Sequence, residues 1–276
     1  MKYKLIAIDM DGTLLNSQHE ISERNKKAIK TATEKGINIV ITTGRIFTSA
    51  KYYAKLLGIE TPIIACNGAY IREYERNNVI YDCPMNLEDC IKVLVEAEKN
   101  EIYYHLYDNQ NFYVKELKYS SLKYFNWNNE QKPEDRINIR IESNLIQLLE
   151  KEKPKIYKIV LMDNNKNKLV LFRDLIEKNK EIEIDSSWHN NLEIMNKGVS
   201  KGNALNHLCK LLGIKNSEVA AIGDNHNDIS MFKYSGYSIA MGNAEDQIKN
   251  MADFVTDTND NDGVAKAIEK ILELNQ

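Results

Sequence analysis

Five short stretches constrain the fold more than any other feature of this chain: YKLIAID, INIVITT and PIIACNG near the N-terminus, EVAAIGD and YSIAMG near the C-terminus. Each is apolar over a continuous run of positions instead of at alternate ones, so a strand built from it must be buried on both faces. Between them lie segments of helical period: SERNKKAIKTATEKG, starting at Ser22 and stopping at Gly36, SAKYYAKLLG, ending at Gly58, then SKGNALNHLCKLLG, NDISMFKYSG and DGVAKAIEKILELNQ. Doubly buried strands alternating with helices predict an α/β fold, a parallel sheet covered on both sides.

The middle of the chain breaks this rhythm. From Pro84 to His189 the sequence offers an amphipathic helix (NLEDCIKVLVEAEKN), half-alternating aromatic strands (IYYHLYD, NFYVKE), a polar loop (NWNNEQKPEDR) and a further strand, helix and strand (YKIVLMD, NKLVLFRDLIEKN, EIEIDSS). Half-alternation predicts an α+β domain whose sheet has one wet face. With 276 residues and about 150 per domain, two domains are expected. Residues 1–83 and 190–276 form the parallel-sheet core, and 84–189 form an inserted domain. A ligand cleft is expected between the two, at the carboxyl ends of the parallel strands.

Charge narrows the partners. The chain has 37 basic and 40 acidic residues, a net charge of -3, so no positive field recruits nucleic acid or an anionic membrane. The first apolar run, Leu5 to Ile8, is too short for a signal peptide, and no stretch approaches the roughly 18 apolar residues of a membrane span; a cytoplasmic location is the expectation. Cys66, Cys83, Cys90 and Cys209 lack the spacing of a zinc site and are expected to be reduced and mostly buried.

Three strand ends deliver polar groups to one edge of the expected sheet. Asp9 follows LIAI, Thr43 and Gly44 follow INIVIT, and Asp224 follows VAAIG, while Lys201 opens a helix that Ser200 is placed to cap. Carboxylates alone repel a phosphate ester but bind Mg²⁺, which takes one or two carboxylates plus water and substrate oxygens. Lys201, Thr43 and the N–H groups near Gly44 would then hold the phosphoryl oxygens. Asp9 is placed to attack phosphorus, and Asp11 to protonate the leaving group and later activate water. An EF-hand loop is excluded, because its glycine belongs at the sixth position and Gly12 is the fourth residue from Asp9.

DMDGT at 9–13, TTGR at 42–45, SKG at 200–202 and GDNHND at 223–228 resemble, in order, the four motifs of the haloacid dehalogenase superfamily. The large insert between the second and third motifs resembles its Cof-type branch with a type IIB cap. The resemblance spans the chain, including NGA at 67–69, AMGNA at 240–244 and DGVA at 262–265. It implies a Rossmann-like core with an inserted cap and a Mg²⁺-dependent phosphatase acting on a small phosphomonoester through an aspartyl phosphate. It further implies Asp9 as nucleophile and metal ligand, Asp11 as acid and base with its carbonyl on the metal, and Asp224 as the third ligand. Thr43, Gly44, Lys201 and the main chain at Met10 match phosphate contacts. Asn227 matches a phosphate or substrate contact, and Asp228 a supporting carboxylate. Type IIB caps shield the site well enough for a monomer, or a weak homodimer, to suffice.

Other residues carry competing readings. Arg45 is either a phosphate or substrate-tail contact or a capping or pairing group. His226 is expected to be a surface side chain, and Tyr113, Tyr119, Tyr124, Phe125 and Trp127 are expected to pack within the insert instead of stacking nucleic-acid bases. Asn67 and Asn243 either are similar to family positions near the cleft or serve loop hydrogen bonding. Two rival functions remain: a sugar phosphomutase on the same fold, and a non-enzymatic phospho-ligand sensor.

Overall fold

The continuous apolar runs form the strands their composition predicts. In the computed structural model, which describes residues 2–76 and 78–276, β1 (Leu5–Ile8) is buried at all four positions. Helix α1 (Glu23–Glu34) begins at Ser22, whose Oγ accepts from the Asn25 N–H at 3.1 Å, a cap of about 1 kcal/mol. Strand β2 (Asn38–Ile41), α2 (Phe47–Leu57), β3 (Ile63–Ala65), β4 (Tyr70–Arg72) and β5 (Val79–Asp82) follow. The middle of the chain contributes α3 (Leu87–Lys99), β6 (Tyr103–Tyr107), β7 (Asn111–Val114), α4 (Tyr119–Glu130), β8 (Asn138–Ile141) and α5 (Leu145–Glu152). Then come β9 (Lys158–Met162), α6 (Lys166–Ile176), β10 (Ile182–Asp185) and β11 (Asn191–Asn196). The last part holds α7 (Lys201–Leu212), β12 (Val219–Gly223), α8 (Ile229–Tyr234), β13 (Tyr237–Ala240), α9 (Asp246–Lys249), β14 (Phe254–Val255) and α10 (Gly263–Leu274).

These elements form two units, one of Met1–Gly44, Ala50–Tyr81 and Ser200–Gln276, the other of Arg45–Ser49 and Asp82–Val199. The first holds a five-stranded parallel sheet in the order β14-β13-β12-β1-β2. Leu5, Ala7, Val40 and Ala221 pack on one side against Leu205 and Leu208 of α7 and Met231 and Phe232 of α8. Burying each large side chain of this kind stabilises by about 1.5–3 kcal/mol. Helices α1 and α10 pair with each other in the same unit, tied by the Ala265 N–H donating to Asn25 Oδ1 at 2.9 Å. The PIIACNG stretch is a strand only over β3. It touches the parallel sheet through a bridge between Thr42 and Ile64 and otherwise pairs antiparallel with β4 in a three-stranded sheet.

Register sets the position of the polar residues. Ile8 lies opposite both Ile41 and Ile222, and the ladder continues through Asp9 N–H to Ile222 O and Thr42 N–H to Ile8 O, each at 3.0 Å. The residues after β1, β2 and β12 therefore leave the sheet side by side.

The second unit carries a six-stranded sheet, β10-β11-β9-β6-β7-β8. One face packs on α3, α5 and α6 through Tyr104, Leu106, Ile159, Leu161 and Leu192. The boundary expected at residue 189 falls later, because β11 pairs antiparallel with both β9 and β10 and so belongs to this sheet. The opposite face mixes polar residues with apolar ones such as Phe112, Val160 and Met195, and it is not wet as expected: His105, Lys158 and Glu193 are all buried. Helix α4 lies on part of it, with Tyr119 against Tyr103 and Tyr124 against Phe112. That helix takes in Asn126–Glu130, which the sequence reads as loop. Its Asn- and aromatic-rich composition has no apolar stripe and little intrinsic helicity, and tertiary bonds such as the Asn128 amide to Ile137 hold it instead. Packing accounts for Tyr113, Tyr119 and Tyr124 as expected, whereas Phe125 is exposed. The four cysteines are free, three of them buried, and no helix among the described residues is long and apolar enough to cross a membrane.

His105 stacks on Phe112 at 4.6 Å, and its Nε2 lies 3.1 Å from Tyr107 Oη. Burial, reinforced by the Lys158 ammonium, pulls its pKa well below the ordinary histidine value. The folded chain then keeps this ring neutral at pH values where the unfolded chain protonates it, so its contribution is complete above about pH 6.5 and is lost as pH falls. Thermal melts at pH 7.5 and 5.0 should show the parent losing about 2 kcal/mol more than His105→Phe. Equal losses would refute a neutral buried His105.

Candidate active site

The turn after β1 folds back at once. Thr13 and Leu15 N–H groups donate to the Met10 carbonyl at 3.3 and 2.9 Å, which leaves Gly12 at a φ of +79°. A Cβ on Gly12 would lie 2.3 Å from Asp224 Oδ2, so glycine is required here both for the left-handed backbone and for the approach of a carboxylate. The same turn places Thr13, fully buried, with its hydroxyl donating to Asp224 Oδ1 at 2.8 Å. The loop that begins at Asp224 is thus bound to the loop that begins at Asp9.

Lys201 is the first residue of α7, and Ser200 caps that helix by accepting from the Asn203 N–H at 3.1 Å. The Lys201 side chain is buried and its Nζ donates to Asp9 Oδ1 at 2.5 Å and to Asp228 Oδ1 at 2.6 Å. The other Asp228 oxygen accepts from the Asp224 and Asn225 N–H groups at 2.9 and 3.0 Å. Asp228 is therefore saturated by donors from the chain. Asp9, Asp224 and Asp228 each present a carboxylate oxygen, and the three oxygens lie within 4.8 Å of one another.

One ammonium does not balance three carboxylates in a buried site. Burial raises the Asp9 pKa well above the usual range, the Asp228 and Asp224 charges add to this, and Lys201 opposes it. Burial and the Asp228 charge push Asp224 up to about 7. Lys201 is pulled the other way: burial alone would lower its pKa, but the Asp228 and Asp9 carboxylates hold it above the ordinary lysine value. Oxygen donors with surplus negative charge are the ligand set that a hard divalent cation such as Mg²⁺ takes. The residues present fit that ion.

The remaining expected residues fall as follows. Thr43 is buried, its N–H donating to the Ile64 carbonyl at 2.9 Å, and Gly44 follows it at the end of the first unit's first segment. Asp11 is half-buried and bridges to Leu15 within the turn, and Met10 is buried. Asn227 is buried and donates to Asn67 Oδ1 at 3.3 Å. Arg45 donates to Ser49 Oγ at 3.2 Å, within the segment Arg45–Ser49 that belongs to the second unit. His226 is a surface side chain, 3.7 Å from Glu245. Asn243 donates to the Gly12 carbonyl at 2.8 Å and accepts from the Asn259 N–H, whose own side chain donates to the Leu15 carbonyl. Sequence reasoning missed two of these supports. Thr13 sits inside the DMDGT motif, four residues from Asp9, and could have been found there; Asn259 leaves no local signal.

Residues 6–268 match the haloacid dehalogenase-like hydrolase family. The chain is 34% identical to the phosphatase YwpJ of Bacillus subtilis (strain 168), covering 98% of this chain and 100% of that protein. It is 35% identical to the 5-amino-6-(5-phospho-D-ribitylamino)uracil phosphatase YcsE of the same organism, covering 96% and 94%. A haloacid dehalogenase-like hydrolase structure from B. subtilis superposes with a TM-score of 0.87 at 32% identity, over 96% of this chain and 99% of that one. The chain belongs to the haloacid dehalogenase-like hydrolases and is a phosphoric monoester hydrolase of that family.

Proposed function

We propose that this enzyme is a Mg²⁺-dependent phosphatase that hydrolyses small phosphomonoesters through a phosphorylated Asp9. The observation that carries the reading is the group of three carboxylates around one buried ammonium at the ends of β1 and β12. A relative of similar length acts, by its name, on a phosphorylated ribitylaminouracil, which supports a compact, polar leaving group of that kind. A cytoplasmic location, as a monomer or weak homodimer, completes the reading on the sequence grounds given above.

The roles follow from the partners. Asp9 and Asp224 carry the raised pKa values and, with the Asp11 carbonyl, would hold Mg²⁺. When bound, the ion neutralises the carboxylates and polarises the phosphoryl group. Asp228, already saturated by Lys201 and two N–H groups, supports instead of ligating. Lys201 fixes the Asp9 carboxylate and places positive charge where the phosphoryl oxygens develop negative charge. Asp9 attacks phosphorus, the P–O bond to the alcohol breaks, and Asp11 gives its proton to the leaving oxygen. Asp11, now a carboxylate, takes a proton from water as the water attacks phosphorus and frees Asp9. Thr43, Gly44, Asn227 and the Met10 main chain hold the phosphoryl oxygens, and Arg45 contacts the substrate tail.

A phosphate-release panel of sugar phosphates, nucleotides, and flavin and pyridoxal phosphates, with Asp9→Asn as blank, tests the reading. Release from at least one compound is expected, abolished by a chelator and restored by Mg²⁺; no release from any compound overturns it. Asp9→Asn should lower kcat at least about 10³-fold and Asp11→Asn about 10²-fold, and normal turnover in either variant removes that residue from its role. Gly12→Ala should fold but lose at least about tenfold in kcat, since its Cβ displaces the Asp224 carboxylate; unaltered kcat would show that Asp224 need not stand where it does.

A further inference from the structure

The turn after β3 has no role in the chemistry above, yet its backbone is unusual. Cys66, Asn67 and Gly68 adopt φ values of +50°, +56° and +100°, and three successive left-handed residues, two of them not glycine, are costly. The turn touches three separate segments of the site. The Asn67 N–H donates to the Thr43 carbonyl at 3.0 Å. At Gly68 a Cβ would lie 2.4 Å from the Ser200 carbonyl oxygen, so the backbone is packed against the start of the helix that carries Lys201. The Asn67 side chain, 1% exposed, accepts from Asn227 Nδ2 at 3.3 Å.

We infer that Asn67 is a positioning residue that fixes the orientation of the Asn227 amide toward phosphate. An amide can turn either its oxygen or its NH₂ toward an anion, and only the NH₂ binds it. By accepting one N–H of Asn227, Asn67 Oδ1 sets which end of that amide faces which way and leaves the second N–H for a phosphoryl oxygen. Asparagine also suits the position because it tolerates the left-handed region better than other side chains, so one residue closes the turn and orients its neighbour. The inference rests on the proposed phosphatase reading, in which Asn227 contacts phosphate.

The test is a double-mutant cycle of Asn67→Gly and Asn227→Ala, read by KM, kcat and the inhibition constant of inorganic phosphate, with Tm as a control. Glycine adopts the φ of Asn67 without strain, so Asn67→Gly removes the amide alone. In the parent background it should raise KM and the phosphate inhibition constant together, by roughly five- to tenfold, with kcat changed less. In the Asn227→Ala background the same substitution should change them less than about twofold. Equal losses in both backgrounds, a fall in kcat alone, or a chain that unfolds without the Asn67 amide would each overturn the inference, the last by making the residue structural. A parent enzyme that releases no phosphate from any substrate would instead refute the phosphatase reading itself.

Discussion

The bond between Lys201 and its two carboxylates is the contact on which the first unit's site depends. Asp9 is 192 residues from Lys201 in sequence and Asp228 is 27, so one ammonium joins the end of β1, the start of α7 and the loop after β12. None of the three groups is worth burying alone, and removing one partner of a buried pair costs about 3–5 kcal/mol because a charge is left behind. The backbone is arranged to permit the contact. Gly202, next to Lys201, lies where a Cβ would come within 2.1 Å of the Ser230 carbonyl oxygen, which lets α7 approach α8 closely enough for the ammonium to reach Asp228.

The same contact leaves the site unfinished. Lys201 bonds two carboxylates of the three, yet burial, reinforced by the neighbouring carboxylate charges, still holds Asp9 and Asp224 above the usual carboxylate range. A sequence selected for stability alone would neutralise that charge with a second lysine or remove a carboxylate. Buried groups held away from their preferred ionisation are characteristic of functional sites, and here the carboxylates form a group of the kind that could hold a cation.

How much of this was legible in the sequence follows from how local each cause is. Strands β1, β2, β12 and β13 were readable because parallel strands buried on both faces need continuous apolar runs, and α1 and α3 because Ser22 and Asn86 cap them through bonds within three residues. Helix α4 and strand β11 were not, since the first depends on tertiary bonds and the second on pairing that its own composition does not specify. Asp9, Thr43, Lys201 and Asp224 were legible as polar residues at the ends of recognisable elements. Thr13 and Asn67 stood within readable motifs and Asn259 did not, but the hydrogen bonds of all three span 160 to 244 residues, and no local pattern reports a partner at that distance.

The second unit shows that a buried lysine-carboxylate pair does not by itself make a site. Lys158 and Glu193 are as buried as Lys201 and Asp9, and their charges lie 2.9 Å apart. There the charges match one to one, and Ser187 and Asn191 supply further donors to the carboxylate at 2.8 and 3.2 Å. This pair joins β9 to β11 within one sheet, with one ammonium facing one carboxylate. The difference between the two units is therefore one of count: one ammonium faces one carboxylate in the second, whereas three carboxylates surround one ammonium in the first.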